Sequence, residues 1–345
     1  MFKIEKRIRR LLAVCAASGV LIGCSSLAPK ASILFDASVF HLGGEMVSSE
    51  ASPSVAGTTA TGSFIIDQVR VLALTPARVD LDKPSIVMSP GFGLGSEIYL
   101  TTVDGRKGWA YEFLSRGHKV YLVERSHTAR TGFDVDLFND VLDGLAEVEE
   151  MPRLIVWRDD TVWTRWGLGA EGGVPFSDGQ FPVEFVDQLT AAFTAVPVKS
   201  GDLADQAIGN PEGLSLLLEK SGPAILLTHS ASGQDGFSVA RERPDLVKGI
   251  VTIEPVGCPT KMPPELSGIP VLSVFGDHLE VRPQIVGRRD ECRLLARSIT
   301  ESGGYGKHID LPEIGIVGNS HIMMSDRNSA SLADMIADWI DEVIL

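Results

Sequence analysis

Short apolar runs, most of them bounded by glycine, proline or charged residues, recur along this chain, and stretches with apolar residues at helical spacing fall between them. Ser85–Ser89, Val120–Glu124, Ala224–Thr228, Gly249–Glu254, Val271–Phe275 and His308–Leu311 read as strands, with Phe64–Leu74 as an earlier one. Gly108–Arg116, Gly236–Arg243, Glu291–Glu301 and Ala330–Val343 read as helices. Strands that alternate with helices predict an α/β fold with a mostly parallel central sheet and helices on both faces.

The span from Ser126 to Ala224 is far longer than one crossover helix requires, so an insertion is expected at about 127–215. It contains a predicted helix, Pro182–Ala195, and leads into a second, Pro211–Lys220. It also carries Trp157, Trp163 and Trp166, three of the five tryptophans. These either offer aromatic surface to a substrate beneath a cap or fasten the insertion to the core. The stretch Ser48–Thr61, rich in Ser, Thr, Gly and Ala, reads as a loop between early strands.

The N-terminus follows another pattern. Lys3, Lys6, Arg7, Arg9 and Arg10 precede an apolar segment, Leu11–Gly23, which has the length of a signal-peptide core and is short for a membrane span. The boundary Leu21-Ile22-Gly23-Cys24 resembles the bacterial lipoprotein box, which implies cleavage before Cys24 and acylation of that residue. Ser25 in the next position resembles an outer-membrane sorting signal. The expected organisation is therefore a signal peptide at 1–23, a lipidated tether at 24–35 and a catalytic domain at 36–345. Localisation would be the bacterial envelope, at the outer membrane, facing the periplasm or the surface.

Composition narrows the partners. With 345 residues and 44% hydrophobic content the chain can bury a large core. Removing residues 1–23 takes away five cations and Glu5, which moves the net charge from −14 to −18. So acidic a body argues against nucleic acid and against an electrostatic grip on anionic lipid. The membrane link would be the lipid on Cys24 alone. Cys15 leaves with the signal, and the remaining pair, Cys258 and Cys292, is expected to form one disulfide in an oxidising compartment.

Candidate chemistry centres on AILLTHSASGQDG at 224–236, where an apolar strand runs into Ser230 with small residues, Thr228 and Ser232, two positions to either side. A strand, a sharp turn and a helix put such a serine at the tip of a nucleophile elbow. Its hydroxyl needs a base to take its proton and a carboxylate to orient that base. His278, His308 and His321 follow Ser230, and His321, in the GNSHIMM loop between the last strand and the final helix, stands where the base is needed. Two carboxylates end strands after the elbow, Glu254 in IVTIEP and Asp277 in SVFGDH, and pattern alone leaves both open. The loop SPGFGLGS supplies one amide for a developing oxyanion, from Phe92, and the residue after the nucleophile, Ala231, supplies the other. Its glycines do not follow the Gly-x-Gly-x-x-Gly spacing of a dinucleotide loop. With no His-Glu-x-x-His, paired Cys-x-x-Cys or acidic calcium loop, neither a metal nor another cofactor is expected. Arg106 and Trp109 are expected to fix the helix that follows them.

HLGGEMV at 41–47, TTVDGRKGW at 101–109, THSASG at 228–233, IEP at 253–255 and GNSHIMM at 318–324 resemble the bacterial α/β-hydrolase esterases with a Ser-His-Glu triad, typified by the Alcaligenes esterase. That group usually has His-Gly where this chain has Pro90-Gly91. The resemblance implies an α/β-hydrolase fold and a serine hydrolase that cleaves a small-molecule carboxylic ester through an acyl-enzyme. Ser230 is then the nucleophile, His321 the base and Glu254 the acid, while Asp277 has a supporting role. An amidase or thioesterase with the same triad, or a non-catalytic envelope binding lipoprotein on this fold, are the alternative readings.

Overall fold

Parallel strands covered on both faces must be apolar throughout, and four of the runs above meet that demand. Ser85–Ser89, Ala224–His229, Val247–Ile253 and Val271–Phe275 are buried along almost their whole length. The structure is a computed structural model and describes residues 33–49, 62–198 and 211–345. The signal peptide, Cys24 and most of the tether lie outside the described residues, as does most of the Ser48–Thr61 loop.

The central sheet has eight strands. In chain order they are β1 (Leu34–Leu42), β2 (Val69–Pro76), β3 (Ser85–Ser89), β4 (Val120–Glu124), β5 (Ala224–His229), β6 (Val247–Ile253), β7 (Val271–Phe275) and β8 (Gly306–Asp310). They lie side by side as β1-β2-β4-β3-β5-β6-β7-β8. β2 runs antiparallel to β1 and β4, and the pairs from β4 onward are parallel. This is the α/β-hydrolase architecture.

Side chains alternate between two cores. Ile86, Met88, Ile225, Leu227, Val251 and Leu272 face one, with α1 (Trp109–Ser115) and the C-terminal helix. Val87, Leu226, Ile250 and Val271 face the other, with the helices that follow β5 and β7. In chain order the remaining helices are α2 (Asp136–Leu142), α3 (Asp159–Arg165), α4 (Val186–Ala191), α5 (Pro211–Ser221), α6 (Ser232–Glu242), α7 (Pro283–Glu301) and α8 (Ser329–Val343). None of the described helices is long and apolar enough to cross a membrane.

Several expected boundaries move, each for a physical reason. The single strand Phe64–Leu74 is two: Gly62–Ile66 pairs with Glu45–Ser49, the chain turns at Asp67 (φ 58°), and β2 follows. The turn is held by Asp67 N to Gly132 O and by His127 Nδ1 beside Asp67 Oδ1 (2.9 Å). The helix Pro182–Ala195 shrinks to one 3₁₀ turn and the six residues of α4, because Thr194 N bonds Gly93 O and Ala195 O accepts from Ala129 N. α6 and α7 start earlier than their apolar spacing suggests, α7 because Pro283 at its first position presets the helical φ. β1 begins at Leu34, inside the expected tether, and α5, which the boundary at 215 cuts, packs with the sheet core through Leu214, Leu217 and Leu218.

Candidate active site

Because β3, β5, β6 and β8 are parallel, the segments that leave them emerge at one edge, and this edge collects the candidate residues. Ser230 follows β5 at φ 53°, a left-handed conformation that a non-glycine residue holds only under constraint. Its amide donates to Ile253 O (2.9 Å), and its carbonyl accepts from Gly233 N (3.0 Å) and Val256 N (2.8 Å). Thr228 and Ser232 take the usual glycine positions with defined partners. Thr228 Oγ1 donates to Thr252 Oγ1 (3.0 Å); Ser232 Oγ accepts from His229 N (2.9 Å) and donates to Ser89 O (2.7 Å). The hydroxyl of Ser232 therefore pins the elbow to the end of β3.

The loop after β3 runs against the elbow. A Cβ at Gly91 would stand 2.9 Å from Ser230 Cβ and 3.1 Å from His229 Nδ1, so only glycine permits this approach. The Gly91 carbonyl accepts from Leu94 N (3.3 Å), which turns the Phe92 N–H of the same trans peptide the opposite way. The Ser230–Ala231 peptide behaves alike: its carbonyl is taken by Gly233 and Val256, and the Ala231 amide points away from them. Trp157 Nε1 donates to Phe92 O (2.6 Å), and this ring joins Phe92, Trp166 and Phe193 in an edge-to-face chain. Trp163 and Trp166 are buried in the core, whereas Trp157 is partly exposed.

His321 lies beyond β8, past a 3₁₀ turn at Leu311–Ile314. Its amide donates to Trp166 O (2.8 Å), and its carbonyl accepts from His229 Nε2 (3.0 Å). Its Nδ1 donates to Glu254 Oε2 at 2.5 Å, which fixes the proton on Nδ1 and leaves Nε2 as the acceptor nitrogen. Glu254, at φ 40° after β6, is fully buried. Burial alone would raise its pKa, but Arg282 and the bond from His321 outweigh it and hold the carboxyl at about 2. Burial lowers the His321 pKa below its ordinary 6.5 despite Glu254, and the cations Arg282 and Arg288 add to the effect.

The other acid has different work. Asp277 accepts from His278 N (2.7 Å) and Gly318 N (2.8 Å), and so joins the loops after β7 and β8. His278 Nε2 is 3.0 Å from Asp178 Oδ1, and its ring stacks on Phe176 of the insertion. Asp178, Asp277 and His278 are the one trio of possible metal ligands among the described residues; both Asp277 oxygens accept from amides, and His278 Nδ1 lies 3.4 Å from Glu280 Oε1.

Three residues here bear on the site in ways that the sequence did not assign to them. Asp326 accepts from Ser320 N, Ser320 Oγ and Asn319 Nδ2 (2.7–2.9 Å) and so shapes the loop that presents His321; burial raises its pKa to about 6. Arg282 lies across Glu254. Arg106, expected to fix the helix after it, instead donates to the carbonyls of Ser325, Asp326 and Arg327, just beyond His321. Each acts through a partner distant in sequence, which periodicity cannot register. Only the charge of Asp326 beside an apolar run, IMMSD, hints at a buried partner.

No family model matches the chain. It is 28% identical over 313 residues to the probable secreted lipase phiG of Fungal sp. (strain ATCC 74256), an alignment that covers 74% of this chain and 81% of that protein. Among solved structures it is similar to a novel bacterial esterase known at atomic resolution, with TM-score 0.83 and 31% identity over 92% of this chain and 98% of that one.

Proposed function

The chain belongs to the α/β-hydrolase esterases and is a carboxylic ester hydrolase, and we propose that it works through an acyl-enzyme on Ser230. The observation that carries this reading is the bond from His321 Nδ1 to the buried Glu254 carboxylate, on the sheet edge where the strained Ser230 turn lies. Ser230 Oγ attacks the ester carbonyl carbon while His321 Nε2 takes its proton. Glu254 holds the imidazole and balances its charge in that step. The Phe92 and Ala231 amides receive the oxyanion, consistent with both N–H groups lying opposite pinned carbonyls. Collapse returns the proton to the departing alcohol, and water then repeats the sequence on the acyl-enzyme.

The N-terminal pattern supports a cellular setting in which Cys24 is acylated and the enzyme is held at the outer membrane of a bacterial envelope, facing the periplasm or the surface. Substitution Ser230→Ala tests the catalytic reading: hydrolysis of a chromogenic short-chain ester is expected to fall by at least about 10³-fold with the fold intact. Activity near that of the unaltered enzyme would refute the assignment.

A further inference from the structure

We propose that Arg282 is a positioning residue of this site, one that locks the Glu254 carboxylate in the orientation from which it binds His321. The inference rests on Glu254 being the acid. Arg282 stands in the connection from β7 to α7, directly before Pro283, and its side chain is fully buried. The guanidinium meets the carboxylate as a fork: Nη1 donates to Oε2 at 2.7 Å and Nη2 to Oε1 at 3.1 Å. Nη2 also donates to the carbonyl of Asp277. With Gly276 N on Oε1 (2.9 Å) and His321 on Oε2, four donors converge on two oxygens, and the carboxylate has little freedom to rotate.

The surroundings are shaped for this contact. A Cβ on Gly167 would stand 3.0 Å from Arg282 Nε, and Gly167 sits at φ 72°, so the insertion closes over the arginine through a residue that must be glycine. Trp166, its neighbour, supplies the carbonyl that holds His321 N. Arg282 Nε is buried with no protein partner among the described residues. The side chain thus forgoes one hydrogen bond while presenting its fork to Glu254.

Charge makes the role measurable. With His321 neutral, Glu254 and Arg282 cancel; when His321 takes the serine proton, the trio becomes positive. Arg282 therefore keeps the buried acid ionised and in place, and it also disfavours an imidazolium formed ahead of reaction. The other groups that face this trio are His229 at the end of the elbow strand, whose pKa burial and the proximity of His321 push well down, Arg288 on α7, and Asp326 beyond His321. None of them accounts for the fork on Glu254.

The test is a pH profile of kcat/KM for a chromogenic ester, with active sites counted by fluorophosphonate, on Arg282→Gln, Arg282→Lys, Glu254→Gln and the double variant Glu254→Gln with Arg282→Gln. Arg282→Gln is expected to lower kcat per active site by tenfold or more and to move the acid limb upward by roughly one pH unit. Arg282→Lys, which keeps the charge, should return the limb toward its original position. In the Glu254→Gln background, Arg282→Gln should cost no more than about twofold, because its partner is gone. An unmoved limb with fewer active sites, or an equal cost in both backgrounds, would reduce Arg282 to a structural residue and overturn the proposal. If Arg282→Gln does not fold, the same cycle with Arg282→Lys decides: a kcat loss that persists when Glu254 is replaced contradicts the positioning role. Full activity in Glu254→Gln would instead remove the acid assignment itself, whatever Arg282 does.

Discussion

Ser230 and Glu254 both adopt positive φ, 53° and 40°, at the carboxyl ends of adjacent strands. Each is held there by the next strand over, Ser230 N on Ile253 O and Glu254 N on Val274 O (3.0 Å), so the sheet ladder itself imposes the strain. His321 depends on the opposite resource, burial. Its pKa lies below 6.5, so the imidazole is neutral and able to accept a proton across the neutral range. A base must be unprotonated to act; kcat/KM is therefore expected to be flat near pH 7 and to fall only as pH drops through a midpoint below 6.5. A pH–rate profile with its acid midpoint above 7 would contradict this account. The serine and the histidine were legible in sequence because each depends on local context, a strand-turn-helix for one and a loop before the final helix for the other. Strand position does not choose between Glu254 and Asp277, since both follow strand ends; the resemblance carried by IEP at 253–255 points to Glu254. What separates them is the partner: Glu254 receives His321, while the Asp277 oxygens are taken by two amides.

Among elements, the strand edges were the clearest signal, because burial on both faces forces continuous apolar runs such as those of β3 and β7. The insertion was legible only as an excess of length. Its helix α4 is short because tertiary bonds to Gly93 and Ala129 draw Thr194 and Ala195 out of helical geometry, a demand that no local pattern encodes. The other element-level constraint is the disulfide Cys258–Cys292, which ties the segment after Glu254 to α7, the helix that follows Arg282. It closes a loop of 34 residues. By the chain-entropy relation, replacing both cysteines with serine should lower the unfolding free energy by about 4 kcal/mol. Urea unfolding under non-reducing conditions measures this, and a loss below about 1 kcal/mol would show that the bridge constrains the unfolded chain little.

For the whole molecule, the net charge would be −18 after removal of residues 1–23, which disfavours electrostatic binding to anionic lipid, and the membrane link in the proposed reading is acylation of Cys24. Metabolic labelling with a radioactive fatty acid in a bacterial host is expected to mark the full-length protein and to fail with Cys24→Ala; an unlabelled full-length protein would contradict the anchor. The account as a whole rests on one serine being made reactive by one histidine and one glutamate. Fluorophosphonate treatment followed by intact-mass and peptide analysis tests that most directly. One adduct per chain on Ser230, with ester hydrolysis lost in step, is the predicted result; no adduct, or full labelling elsewhere while Ser230→Ala still hydrolyses the ester, would contradict it.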